Sequence, residues 1–160
     1  MMNVESYLKS DDFFLIVDET LRQHACKAVE TFLEKNEPVK KKQLHAITTA
    51  IEGNGFKALQ ELIKNQKDKN TKKKNKLFWT FLNDYIIDKQ KSDFLPLFVF
   101  LQTQPVIKDM LEDESSVSDK KEKKDIRKRN KKKIETIMNK VILIYFEHFN
   151  CHYFYKSRGL

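Results

Sequence analysis

Residues 40–66, KKKQLHAITTAIEGNGFKALQELIKNQ, decide the fold. Leu44, Ile47 and Ile51, then Phe56, Leu59, Leu62 and Ile63, recur at three- and four-residue spacing, which puts each set on one helical face. Between the two sets sits Gly53-Asn54-Gly55, and only Gly159 lies outside this corner among the three glycines of the chain. Glycine reaches positive φ without steric cost and asparagine more readily than most residues, so this is where a sharp reversal is expected. The motif predicts a helical hairpin.

Working outward, Ser10-Asp11-Asp12 offers N-cap side chains ahead of a run in which Phe14, Val17, Leu21, Ala25, Ala28, Val29 and Phe32 keep to one face. That first long helix should end near Asn36, because Pro38 disfavours helix in the residue before it. A second helix is expected over Val39 to Glu52, and a third over Phe56 to Gln66. From Leu77 a stripe of Leu77, Phe78, Phe81, Leu82, Tyr85 and Ile86 predicts a fourth, with Trp79 on its flank. Ser92 or Asp93 should cap a fifth, Phe94 to Gln104, with Pro96 tolerated in its first turn. Its apolar character on most sides suggests burial at the centre or beneath a partner. A short sixth helix, Val106 to Leu111, leads into a polar stretch from Glu112 to Lys121. The last helix has a basic first half and then a broad face of Ile134, Ile137, Met138, Val141, Ile142, Tyr145, Phe146 and Phe149, ending around Tyr155.

No segment alternates at period two for long enough to argue a strand, and no repeat is visible. The expected architecture is all-α: residues 1–160 as a single compact bundle of six to seven helices with two basic loops, about 67–76 and 112–133. Twelve phenylalanines, five tyrosines and one tryptophan supply the apolar area such a core needs. Cys26 and Cys151, in no Cys-x-x-Cys pair, fit a reducing cytosol. The opening MMNVESYLKSDD has no apolar signal region, and no apolar run approaches the roughly 20 residues of a bilayer span, so a cytoplasmic protein without a membrane partner is expected.

The net charge of +8 is unevenly placed. Lys67 to Lys76 and Asp119 to Lys133 together carry +12, leaving the rest of the chain mildly acidic. Local lysine concentrations of this kind are the footprint expected of a nucleic-acid binder, since affinity for a phosphate backbone comes largely from released counterions. The competing reading is that the lysines only keep the chain in solution.

Catalytic constellations do not emerge. Gly53-x-Gly55 lacks a third glycine and a preceding strand, no His-Glu-x-x-His occurs, and the Arg-His spacing of HEPN-type helical ribonucleases is not met by Arg22 and His24 or by Arg127 and Arg129. Asp11, Asp12, Asp18 and Glu19 read as helix-capping acids rather than a divalent-ion site. His148, Cys151 and His152 would meet His24 and Cys26 if the first and last helices pack together, but the spacings match no standard zinc site and the aromatic neighbours favour core packing. Tyr153, Phe154 and Tyr155 beside Lys156 and Arg158 offer either base stacking or an aromatic end to the last helix. No enzyme, metal or cofactor is expected.

Residues 21–66 resemble the small helical subunit of type III CRISPR-Cas effector complexes, of the RAMP-module, Cmr-type kind. LRQHACKAVETF is similar to that family's first-helix pattern, with Arg22 and Ala25 at recurrent positions. QLHAITTAIEGNGFKALQELIKNQ is similar to its helix break at Asn-Gly, carried by Asn54, Gly55, Leu59 and Leu62, and LFWTFLNDYI and IMNKVILIYFEHFNCHYFY resemble its later helices. The stretch Asp113 to Lys133 is longer and more basic than the family pattern. The resemblance implies a noncatalytic subunit in antiviral defence that stacks with further copies of itself beside the backbone subunits. Its partners would be guide RNA and target RNA, or single-stranded DNA, held by their phosphates. The candidate contacts are Lys40, Lys41, Lys42, Lys72, Lys73, Lys74, Arg127, Lys128, Arg129, Lys131 and Lys132. The alternative from another class is a helical protein-protein adaptor or inhibitor whose partner covers Phe94 to Leu101.

Overall fold

The computed structural model describes residues 3–88, 90–92 and 94–158, and the side chains of all of these but Ile16, Leu97, Phe100 and Leu101. Asp93, one of the two expected caps, and Gly159 lie outside the described residues. The described chain is all-α, with no strand: α1 Val4–Leu8, α2 Asp11–Phe13, a π-helical turn Phe14–Asp18, α3 Glu19–Lys35, α4 Lys41–Lys69, α5 Lys73–Leu82, a second π-helical turn Asn83–Ile87, α6 Phe94–Gln102, α7 Pro105–Met110 and α8 Lys120–Arg158.

Ser10 caps α2 as its sequence position suggests, its hydroxyl accepting the Phe13 N–H at 3.2 Å. The register beyond it differs from expectation. Phe13, not Phe14, enters the core, and Phe14 is 48% exposed. Phe13, Val17, Leu21 and Ala25 follow one another at steps of four, which would drift around an ordinary 3.6-residue helix; the wider π turn absorbs the drift and holds them on one face. Ser92 caps α6, accepting from the N–H groups of Phe94 and Leu95 at 3.2 and 3.0 Å, and Pro105 opens α7 at a position where its missing N–H costs nothing.

The helix α4 is two arms. Asn54 (φ −152, ψ 27) and Gly55 (φ 69, ψ −151) alone leave helical geometry. A straight helix of its 29 residues would span about 43 Å, yet Lys40, Lys42 and Gln43 at its start and Gln66 and Lys69 at its end line one cleft, so the arms reverse as the glycine corner foretells. Only Gly55 is required there. Its φ is positive, and a Cβ on it would run into the Asn139 carboxamide, whereas Gly53 faces open space. Asn139 Oδ1 accepts the Phe56 N–H at 3.0 Å, so α8 supplies the cap for the second arm.

The C-terminal part of α8 is the spine of the core. Ile137, Val141, Ile142, Tyr145, Phe146, Phe149 and Tyr153 are buried against α3 and α4, and Phe32, Phe78, Phe149 and Tyr153 form a connected set of ring contacts at 5.5 to 6.5 Å. Tyr153 fixes the junction before α4: its hydroxyl accepts the buried Val39 N–H at 2.6 Å, and burial pushes its pKa up to about 12. Trp79 is fully buried rather than on a flank. Phe94 and Phe98 of α6 are buried while Val99 is 61% exposed, so α6 lies at the edge of the core and not at its centre.

Both expected basic loops are largely helix. Residues 67–69 close α4 and 73–76 open α5, leaving a three-residue connection. Residues 120–133 are the first turns of α8, because lysine and arginine are good helix formers and the helix is anchored by its apolar C-terminal half.

Candidate nucleic-acid interface

Closing the α4 hairpin brings its two ends together beside the start of α5. The result is a cleft of about 650 Å³ lined by Lys40, Lys42, Gln43, Gln66, Lys69, Asn70, Thr71, Lys72, Lys74 and Asn75. Five of these ten residues are lysines and none is acidic. Four candidate contacts far apart in sequence, Lys40, Lys42, Lys72 and Lys74, therefore meet in one concave surface, where their fields add. Lys69 belongs with them and was not among the residues singled out from sequence. Its signal was available: if the hairpin closes, the last turn of its second arm must face the first turn of its first.

Helical rotation sends the intervening lysines elsewhere. Lys41 extends over the Phe154 ring, 5.7 Å from its centroid. Lys73 borders a neighbouring depression that also contains Glu37, Lys35 and Leu77. Of the three consecutive C-terminal aromatics, Tyr153 is buried, Phe154 lies half-buried beneath Lys41, and Tyr155 is exposed and stacked on His152.

The second basic stretch is built differently. Arg127 donates from Nε and Nη2 to the Glu114 carboxylate at 2.8 to 3.0 Å, and Arg129 does so to Glu112 at 2.6 and 2.9 Å. These guanidiniums hold both carboxyls below the usual carboxylate range. Asn130 exchanges two hydrogen bonds of 2.9 Å with the Glu112 backbone, and Lys133 Nζ donates to the Met110 carbonyl at 2.9 Å, pinning the acidic segment along α8. At 100° per residue, Asn130 and Lys133 share the side against this segment, Arg127 and Arg129 flank it, and Lys128, Lys131 and Lys132 are on the other. The three lysines are exposed, and Lys131 borders a second cleft, at the α4 corner, with Lys57 and Glu135. The expected phosphate contacts at Arg127 and Arg129 are thus occupied by the chain's own carboxylates.

His24 and Cys26 lie on α3 and His148, Cys151 and His152 on α8; the two helices pack together and bring Cys151 within electrostatic reach of the Cys26 thiol. His148 Nε2 lies 2.9 Å from Asp18 and His152 Nε2 3.1 Å from Glu30, tying α8 to the α3 side. Cys26 is half-buried, its thiol pushed up by that burial, and Cys151 is exposed. Arg22 is engaged by Glu19. Among the described residues no group of three or more His, Cys, Asp or Glu is placed to hold a metal ion, and no helix is long and apolar enough to cross a membrane.

With this geometry defined, comparison with protein-family models, curated proteins and solved structures finds no match. What can be said of function rests on the residues themselves.

Proposed function

We propose that the chain is a noncatalytic RNA-binding structural subunit of a cytoplasmic ribonucleoprotein, of the type III CRISPR-Cas effector kind that its sequence resembles. The observation that carries this reading is the cleft: three segments contribute five lysines and no acid to one concavity. A phosphate backbone laid there exchanges its condensed counterions for lysines, which gives affinity without base specificity. Lys40, Lys42, Lys69, Lys72 and Lys74 are the principal contacts in this proposal, and the outward lysines of α8 are secondary. Backbone subunits and further copies of the chain would be its protein partners.

The test is fluorescence anisotropy of a labelled 30-nucleotide single-stranded RNA titrated at several salt concentrations. Binding in the range of about 1–100 μM that steepens as salt falls is expected, and Lys72→Ala with Lys74→Ala should lower the salt slope by about 1.4, at ~0.7 per lost single-strand phosphate contact. Absence of binding at low salt, or binding indifferent to salt, would overturn the reading. The adaptor alternative has its own observation in exposed Val99 on the apolar α6. Self-association or protein capture through that helix, by a chain that ignores RNA, would favour it.

A further inference from the structure

The cleft contains two glutamines whose orientation is fixed by chemistry. Trp79 Nε1 lies 2.9 Å from the Gln43 side chain. Indole N–H can only donate, so Gln43 must turn its oxygen inward to Trp79 and leave its amide NH2 for the cleft. A parallel lock sits across from it. Asn70 Nδ2 donates to the Gln66 main-chain carbonyl at 3.0 Å, which identifies that atom as the nitrogen; the Gln66 side-chain atom 2.8 Å from it must then be oxygen. Gln66 too has its oxygen turned to a partner within the protein and its NH2 free of that bond.

We propose that Gln43 and Gln66 are phosphate-oxygen donors of the cleft, held in donor orientation by Trp79 and Asn70 as positioning residues. The proposal rests on the reading of this cleft as a phosphate-binding surface and deepens it. A free carboxamide presents oxygen or nitrogen equally well, and its oxygen would repel an anion. Here both oxygens are used within the protein, so two neutral side chains reinforce the ammonium groups around them rather than opposing them. Trp79 is fully buried in the core, and Asn70 ends α4, so both locks are built into the scaffold and exist before any ligand arrives. The ligand chemistry is a phosphate oxyanion, supplied by a nucleic-acid backbone or by free polyphosphate.

The discriminating feature is that these contacts carry no charge. Gln43→Met and Gln66→Met, combined, keep side-chain length and remove both donors without changing net charge. Affinity for the labelled 30-nucleotide RNA should fall about tenfold at fixed salt while the salt slope stays at its wild-type value. Asn70 also lines the cleft but spends both its amide hydrogens on Gln66, so Asn70→Ala, which unlocks Gln66 and changes no charge, should lose a smaller part of the same affinity, again with unchanged slope. Circular dichroism and thermal melting of each variant establish that it is folded. A folded double variant that binds like wild type would overturn the proposal, as would a loss accompanied by a reduced slope. Inorganic tripolyphosphate separates the two claims. A rise in melting temperature of the wild type that the double variant lacks, in a protein that ignores RNA, would keep the glutamine assignment and sink the RNA reading. No response to either probe would sink both.

Discussion

The cleft at the open end of the α4 hairpin and the first turns of α8 are alike as strings of letters and unlike as surfaces. Each is dense in lysine. In the cleft, ten lining residues include five lysines and no carboxylate, and the wall is concave. On α8, Glu112 and Glu114 satisfy both arginines, Lys133 is turned to the Met110 carbonyl, Lys131 edges the cleft at the α4 corner beside Glu135, and Lys128 and Lys132 face solvent from a convex helix. Charge density along a sequence therefore says little about the field a ligand meets. What decides it is which neighbours the fold brings in, and whether the surface curves toward or away from the ligand.

The largest effect should come from breaking the corner that creates the cleft. Gly55→Ala forces a side chain onto a positive φ and into Asn139, and should destabilise by about 2 kcal/mol or more, with loss of RNA affinity. Gly53→Ala, in open space, should be neutral or stabilising by up to ~1 kcal/mol. Urea unfolding of the pair reads the contrast. If both glycines tolerate alanine, the corner does not hold the cleft together.

Next in size is Tyr153→Phe, which strips the buried Val39 N–H of its acceptor where the chain enters α4. A loss of about 1–3 kcal/mol is expected by the same measurement. Its pH signature has a definite sign. The native hydroxyl is raised from 10.0 to about 12, so the stability it confers is complete below pH 10 and is lost as pH rises toward 12. The phenylalanine variant should show a flatter stability profile over that window.

The smallest effect sharpens the difference between the two basic regions. Glu112→Gln with Glu114→Gln frees Arg127 and Arg129 while Asn130 and Lys133 still hold the segment in place. RNA affinity should rise a few-fold and the salt slope steepen by up to about 1.4. Because both carboxyls are held low by the arginines, wild type keeps these pairs at neutral pH and loses them as pH falls through the depressed carboxylate range. Acidification should move wild-type binding toward that of the double variant. An unchanged slope in the variant would mean that the arginines have no access to RNA.

Local sequence carried the hairpin and the caps at Ser10 and Ser92, since each depends on residues within one or two turns. What it could not carry were pairings across the fold. Asn139 caps an arm 83 positions away, and Trp79 orients a glutamine 36 positions away. Periodicity marked Trp79 as peripheral because it scores faces, and the indole N–H that allows full burial has its partner on another helix. The choice of Phe13 over Phe14 turned on a π turn, which a fixed 3.6-residue period cannot represent. Of the candidate contacts, Lys40, Lys42, Lys72 and Lys74 meet in the cleft, while Lys41 and Lys73 are rotated out of it. The carboxylates facing Arg127 and Arg129 are only 13 and 17 positions away, but nothing local indicates that the segment folds back along α8.

The most direct test sets the two regions against each other in one titration series. Salt slopes for single-stranded RNA would be measured for wild type, for Lys40, Lys42, Lys72 and Lys74 changed together to alanine, and for Lys128, Lys131 and Lys132 changed together to alanine. If the cleft is the principal binding surface, the first variant should lose about 2.8 units of slope and most of its affinity, and the second less than half as much. An equal or larger loss in the α8 variant would contradict the assignment and place the binding surface on the exposed helix.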